Sequence, residues 1–397
     1  MPKRWSCFVA FFISLSFFMF IIPCWGMAQE QDLSSAQAVL LVDHVTGQVL
    51  LDKDADAQLI PASLVKIMTL KLTYEAIEEE LIALDEKTRI SENAWQTPGS
   101  TMFLLVDTEV TVDELLHGIA IVSGNDACVA MAEMLGGSEA QFVNMMNQRA
   151  QEMGLVNTHF VDSHGLSDQN RTSARDIAYL TGQYIDDHPY ALELHSTPSY
   201  TYAPPGDNPI WQANRNLLLD RFEGTDGLKT GYLSASGYNM VATARRDGMR
   251  LIAVLLGIEA PIGTQGEEQR ARETIAVLNY GYRNFATVSL ASAGEPLHSA
   301  RVWKGTSDQV IIGPREDVIV TAPSAYAQQL TKAAVFDPDL VAPVEKDMPV
   351  GELIIQAGEE ELRRFPLVAL ADVPRAGWFR VFTDTIRMWL ARLFGRI

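Results

Sequence analysis

Apolar, strand-like runs stand at the two ends of a long segment whose own pattern is helical, and that separation constrains the fold more than any other feature of this chain. Ala38–Val42 and Gln48–Leu51 flank a turn containing Thr46-Gly47 and read as a hairpin, and Tyr238–Ala244 and Leu251–Leu256 repeat the arrangement around Asp247-Gly248. Between them, apolar residues recur at three and four from Ser63 to about Leu84, Val112 to about Ser123, Asp126 to Leu135, Ala140 to Met153 and Ser173 to Tyr184. A further helical pattern runs from about Glu267 to Phe285. The expectation is an α/β (α+β) domain over residues 29–286, in which a helical block is inserted into a sheet that starts at the first hairpin and resumes near Gly227.

After this domain the pattern changes to short alternating runs such as Gln309–Ile312 and Asp317–Val320, broken by Gly and Pro, which predicts a small all-β domain over 289–372. Residues 376–397 read as an amphipathic helix. Phe379, Phe382, Ile386, Trp389, Leu390, Leu393 and Ile397 share one face, with Arg380, Asp384 and Arg387 opposite. Two readings stand for it: a helix packed on its own domain, or one lying in the plane of a membrane surface. Its Trp and Phe residues, its arginines and its place at the chain end after Pro374 and Gly377 favour the membrane.

At the other end, Lys3 and Arg4 precede an apolar run from about Phe8 to Ile22, followed by Gly26-Met27-Ala28, a small-x-small cleavage pattern. Residues 1–28 therefore read as a secretory signal peptide; a retained membrane anchor is the alternative, disfavoured because the apolar run is short for a stable span. Its removal takes Cys7 and Cys24 and leaves Cys128 as the last thiol, so no disulfide is expected within the mature chain, and its apolar neighbours make Cys128 a buried, inert thiol. A formal charge of −19 argues against nucleic acid as a partner, since phosphate binding needs a clustered basic surface. The seven histidines show no metal-ligand spacing, so neither a metal nor another cofactor is expected.

Three short motifs carry the chemistry: Ser63-Leu64-Val65-Lys66, Ser123-Gly124-Asn125 and Lys229-Thr230-Gly231. Together they hold the parts that acyl transfer requires: a nucleophile, a base, a proton relay and an anion clamp. A serine hydroxyl is a poor nucleophile near neutral pH, and an amine takes its proton only when uncharged, so Lys66 needs a depressed pKa. Pro61 suits the start of a helix, placing Ser63 near its N-terminus with Lys66 one turn along on the same face. Ser91-Glu92-Asn93 also matches Ser-x-Asn but lies close after the first helix and reads as a decoy.

In their order, and in the stretches around them, these motifs resemble the penicilloyl-serine transferase superfamily. The chain is similar more narrowly to low-molecular-mass penicillin-binding proteins that are D-alanyl-D-alanine carboxypeptidases. Pro61–Thr69, Ser123–Ala127, Phe160–Leu166 and Asp226–Tyr232 carry the likeness, which extends over nearly the whole chain. It implies a serine β-lactamase/transpeptidase-like catalytic domain, with Lys229 approaching the nucleophile from the side opposite Lys66 and helping to depress its pKa. Ser123 is implied as proton shuttle, and Asn125 as the amide holding substrate and Lys66. Lys229 and Thr230 would hold the substrate carboxylate, helped by Arg270, Gly231 would let the strand lie close against it, and the backbone N–H groups of Ser63 and Tyr232 would form the oxyanion hole.

His164 matches a turn residue of the family and reads as structural, and Leu233 stands where threonine often follows Lys-Thr-Gly-Tyr, which bears on substrate preference. The implied substrate is the pentapeptide stem of peptidoglycan, with β-lactams as covalent inhibitors, at the outer face of the cytoplasmic membrane. Three other readings use the same residues. A class A β-lactamase would need a Glu-x-x-x-Asn element between Asn125 and Lys229, which the sequence lacks. An endopeptidase that cuts cross-links would share the site, and a membrane-tethered peptidoglycan-binding scaffold would carry it silent.

Overall fold

The computed structural model describes residues 33–393. The signal-peptide reading of residues 1–28 and the last helical position, Ile397, lie outside them. The main sheet has five strands in the spatial order Gln48–Lys53, Ala38–Asp43, Met249–Ile258, Gly237–Arg246, Thr225–Leu233, all neighbours antiparallel. The first hairpin thus pairs through Ala38–Asp43 with the last strand of the second group, closing one sheet around the helical block.

Both faces of this sheet are covered, which is why its central strands are almost continuously apolar. Successive side chains point to opposite faces. Ala38, Leu40, Val241, Ile252 and Val254 join the core of the helical block, and Val39, Leu41, Ala242, Leu251 and Ala253 join a second core beneath the helix Thr264–Asn284. The helical block is held by Lys66–Glu78, Val112–Ala120, Asn125–Gly136, Glu139–Glu152 and Ala174–Asp187. Three of these helices start where side chains satisfy the free N–H groups: Thr111 and Glu114 form a reciprocal capping box, and Ser138 and Ser173 cap the helices Glu139–Glu152 and Ala174–Asp187.

Three helix limits differ from expectation, and two of the differences fall beside the motifs. The pattern from Ser63 onward begins as a tight 3-10 turn, Ala62–Val65, becomes α-helical only at Lys66 and stops at Glu78 instead of Leu84. The helix expected to reach Ser123 stops at Ala120, so Ser123 stands in a loop with φ +63°. Apolar periodicity reports burial, and Leu64 and Val122 are fully buried in non-α-helical backbone as well as they would be in a helix.

The C-terminal part forms a six-stranded sheet in the order Leu330–Phe336, Pro349–Ala357, Glu360–Ala369, Gln309–Pro314, His298–Trp303, Asp339–Val341, with Phe285–Ala291 paired to Val318–Pro323 beside it. Val302, Ile312, Leu353, Ile355, Phe365 and Leu367 build its core. Buried Asp43 ties the two parts by accepting hydrogen bonds from Thr287 Oγ1 (2.5 Å) and Thr321 Oγ1 (2.6 Å).

The helix Trp378–Leu393 contacts the β part through its polar side. Asp384 is buried, accepts the Lys304 backbone N–H at 2.8 Å and is flanked by Arg380 and Arg387; Arg380 also pairs with Asp308. Trp378, Phe379, Phe382, Ile386, Trp389 and Leu390 are exposed together. The helix is thus packed on its own domain, as one of the two readings has it, but through its charged face, and its apolar face is left exposed. No described helix is long and apolar enough to cross a membrane.

Candidate active site

Ser63 projects from the 3-10 turn that follows Pro61, in a segment bent sharply enough to put Ala62 at φ +49°. Few non-glycine residues adopt such a backbone, and it persists only where surrounding structure enforces it. Two glycines do so here. A Cβ on Gly165 would stand 2.0 Å from the Ala62 carbonyl oxygen, and one on Gly231 would stand 3.0 Å from that of Pro61 and 3.2 Å from Ser63 N. The Ser63 turn is thus gripped between the 162–167 loop, which at Gly165 approaches closer than any side chain would permit, and the Lys229–Gly231 strand, where a side chain would fit only if its neighbours gave way.

Lys66 begins the following helix, fully buried. Its Nζ lies 2.7 Å from Asn125 Oδ1, 2.5 Å from the His164 carbonyl oxygen and 3.2 Å from Ser63 Oγ. The first two partners only accept. A neutral amine has two N–H donors and one lone pair, so with both donors committed to Asn125 and His164 the lone pair is left for the Ser63 hydroxyl proton. Burial drives the Lys66 pKa below its usual value, against the pull of Asp162 and Asp126.

Lys229 reaches in from the opposite wall and donates to Ser123 Oγ at 2.9 Å and to the Thr230 carbonyl at 3.1 Å. It too is buried, and its pKa is pushed well below normal, first by desolvation and then by the charge of Lys66. The charge of Lys66 thus bears on Lys229, whereas the Lys66 pKa is lowered by burial itself.

The structure brings Ser63, Lys66, Ser123, Asn125 and Lys229 into one cleft, with Thr230, Gly231 and Tyr232 following along the same edge strand. Asn125 is anchored by donating to the Pro98 carbonyl at 2.7 Å, and its neighbour Asp126 holds the same segment by accepting from Met102 N and Leu104 N. Arg270, on the helix Thr264–Asn284, is buried, with its guanidinium 5.6 Å from the Tyr238 ring and 3.4 Å from the Arg215 carbonyl. Burial lowers its pKa to about 10.

Ser91 and Asn93 lie elsewhere: Ser91 caps a short helix and Asn93 donates to Glu133, as a decoy should. Cys128 is a buried free thiol with its pKa pushed up to about 12 by desolvation.

Two contributors escaped the sequence. His164 reads as a turn residue, yet its carbonyl orients Lys66, a backbone role that no side-chain identity signals. Asp162 shapes that turn by accepting from Gly165 N (2.6 Å), Ser167 N (2.7 Å) and Asn170 Nδ2 (3.0 Å). Arg215 is exposed, has no ion pair among the described residues, and its charge helps to depress both Lys229 and Arg270. Its one trace in the sequence is a basic residue in Asn214-Arg215-Asn216, just before the sheet resumes.

The family model described as D-alanyl-D-alanine carboxypeptidase matches residues 26–260, and that described as penicillin-binding protein 5, C-terminal domain, matches residues 285–375. The D-alanyl-D-alanine carboxypeptidase DacC of Escherichia coli is 34% identical over 96% of this chain and 96% of its own length, and DacA of the same organism is 35% identical over 91% and 89%. The crystal structure of penicillin binding protein 5 from Haemophilus influenzae superposes with a TM-score of 0.78 at 33% identity, covering 86% of this chain and 98% of that one. The chain belongs to the D-alanyl-D-alanine carboxypeptidase family. It is a serine peptidase with the mixed α/β fold of the penicillin-binding proteins.

Proposed function

We propose that Ser63 is the nucleophile of this carboxypeptidase and that neutral Lys66 is its base. Ser63 Oγ attacks the carbonyl of the peptide bond between two D-alanines at the end of a peptidoglycan stem, and its proton passes to Lys66 Nζ. The backbone N–H groups of Ser63 and Tyr232 hold the resulting oxyanion, a role in which each donor lowers the barrier by about 3 kcal/mol. As the tetrahedral centre collapses, Ser123, hydrogen-bonded to Lys229, passes its proton to the departing amine and takes in its place the proton that Lys66 received from Ser63, which leaves Lys66 neutral for the second half of the reaction. D-Alanine leaves, and water then attacks the ester, returning the proton to Ser63 and releasing the shortened peptide as its acid.

Thr230 and Lys229, with the guanidinium groups of Arg215 and Arg270, make the electropositive end of the cleft where the terminal carboxylate binds. A β-lactam carbonyl enters by the same attack and leaves the ester in place of a released product. The observation that carries this reading is the geometry of Lys66, whose two acceptor-only partners leave a lone pair for Ser63. Mass spectrometry after exposure to labelled penicillin tests it: the adduct belongs on the peptide bearing Ser63 and vanishes in Ser63→Ala, and an adduct elsewhere would reject the assignment.

The exposed apolar face of the Trp378–Leu393 helix supports peripheral attachment at the outer face of the cytoplasmic membrane after secretion. Each arginine near an anionic lipid surface contributes about 1 kcal/mol, offsetting repulsion of the acidic body. Vesicle flotation of the full chain against one ending at residue 374 tests this; equal flotation would remove the membrane from the account.

A further inference from the structure

The leaving D-alanine occupies the Lys229–Thr230 end of the edge strand, so the retained half of the peptide runs the other way, past Tyr232 and Leu233. There, at the turn joining the Thr225–Leu233 and Gly237–Arg246 strands, lies a cavity of about 220 Å³ lined by Gln37, Gln58, Ile60, Arg171, Ala235 and Ser236 among others. It sits three residues before the nucleophile along one wall and four residues beyond Tyr232 along the other. An extended chain advances about 3.3 Å per residue, so the cavity is within reach of a long side chain one or two residues upstream of the scissile bond.

No lining residue is acidic, in a chain of net charge −19, and one is a cation. Arg171 is held firmly. Its backbone pairs with His159 in both directions (2.8 and 2.9 Å), the next residue, Thr172, pairs with Leu59, and its Nη1 donates to the carbonyls of Asp168 (2.5 Å) and Asn170 (2.8 Å). Among the described residues no carboxylate pairs with it. A guanidinium positioned by backbone carbonyls, and left without a counter-ion, is matched to a carboxylate supplied by a ligand.

We propose that this cavity is a specificity subsite, in which Arg171 binds a carboxylate on the retained half of the peptide, with the Gln37 and Gln58 amides and the Ser236 hydroxyl as its polar surround. The inference rests on the carboxypeptidase reading of the site, and the test separates the two. Two blocked peptides ending in D-Ala-D-Ala are compared, differing only in the preceding residue, which bears a side-chain carboxylate in one and the corresponding amide in the other.

The wild-type enzyme is expected to favour the acid by about tenfold or more in kcat/KM, the usual weight of a charge-assisted hydrogen bond. Arg171→Gln brings the ratio to about one, with turnover of the amide peptide and acylation by penicillin unchanged, and Arg171→Lys keeps part of the preference. A wild-type ratio near one, or a preference that survives in Arg171→Gln, overturns the subsite while leaving the carboxypeptidase site standing. Failure to release D-alanine from either peptide overturns both.

Discussion

The two halves of this molecule bury different things. In the N-terminal part, the interior between sheet and helices holds Lys66, Ser123, Asn125, Asp126, Asp162, His164, Lys229 and Arg270, all at most 9% exposed. The sheet between residues 285 and 369 buries valine, isoleucine, leucine and phenylalanine, and the main buried polar groups there, Thr321 and Asp384, serve its junctions with the catalytic part and with the terminal helix. Burying an ionisable group is costly unless it is paired. A region that keeps several of them together and bends its backbone at Ala62 and Ser123 is one in which stability has been subordinated to a task. The β part shows what the same chain looks like without that demand.

This contrast can be broken most directly at Lys66. Lys66→Met keeps the bulk but removes the base, and kcat/KM for D-alanine release is expected to fall by about 10²–10⁴-fold, the weight of a general base, with little change in melting temperature. Equal activity in the variant would mean that the buried charge has no chemical use. Gly165→Ala probes the grip on the nucleophile turn. Its Cβ meets the Ala62 carbonyl, so a drop of about 10²-fold in penicillin acylation rate is expected, as for other misplacements of about 1 Å near a reacting centre.

The reverse experiment sharpens the comparison from the other side. Phe365→Ala opens the core of the β part and should cost about 3–5 kcal/mol there by calorimetry, while kcat/KM on a soluble peptide stays at the wild-type value. A parallel loss of activity would show that the two parts are coupled through Asp43. The smallest effect is in pH. The proposed base works only when neutral, and burial sets the Lys66 pKa below the ordinary 10.5, so kcat/KM is expected to rise with pH through that lowered value, at lower pH than the titration of a free lysine. An acid limb centred near 10.5 would contradict the burial argument.

Much of the site was legible because its residues are short-range motifs. Ser63 and Lys66 are one turn apart, Ser123 and Asn125 two residues apart, and Lys229 to Tyr232 consecutive, so each motif is displayed by local geometry. The sheet with its inserted helices was legible from apolar runs buried on both faces. The sequence did not show that Lys66 is oriented by a backbone carbonyl at residue 164, that Arg215 adds to the field at Lys229, or that Ser123 leaves the helix to adopt a positive φ. Periodicity cannot distinguish a buried loop from a buried helix turn, and a carbonyl contributes nothing to residue identity.

What the amino-acid order determined alone is the inventory: two serines, two lysines, an amide, and the elements on which each is mounted. What only the tertiary structure decided is which proton each amine holds. That depends on the dielectric around Nζ, on the second amine across the cleft and on the acceptors that consume its N–H groups, which lie 59 to 106 residues away in the chain. Electrostatics acts through distance and desolvation, and neither exists until the sheet has closed around the helices.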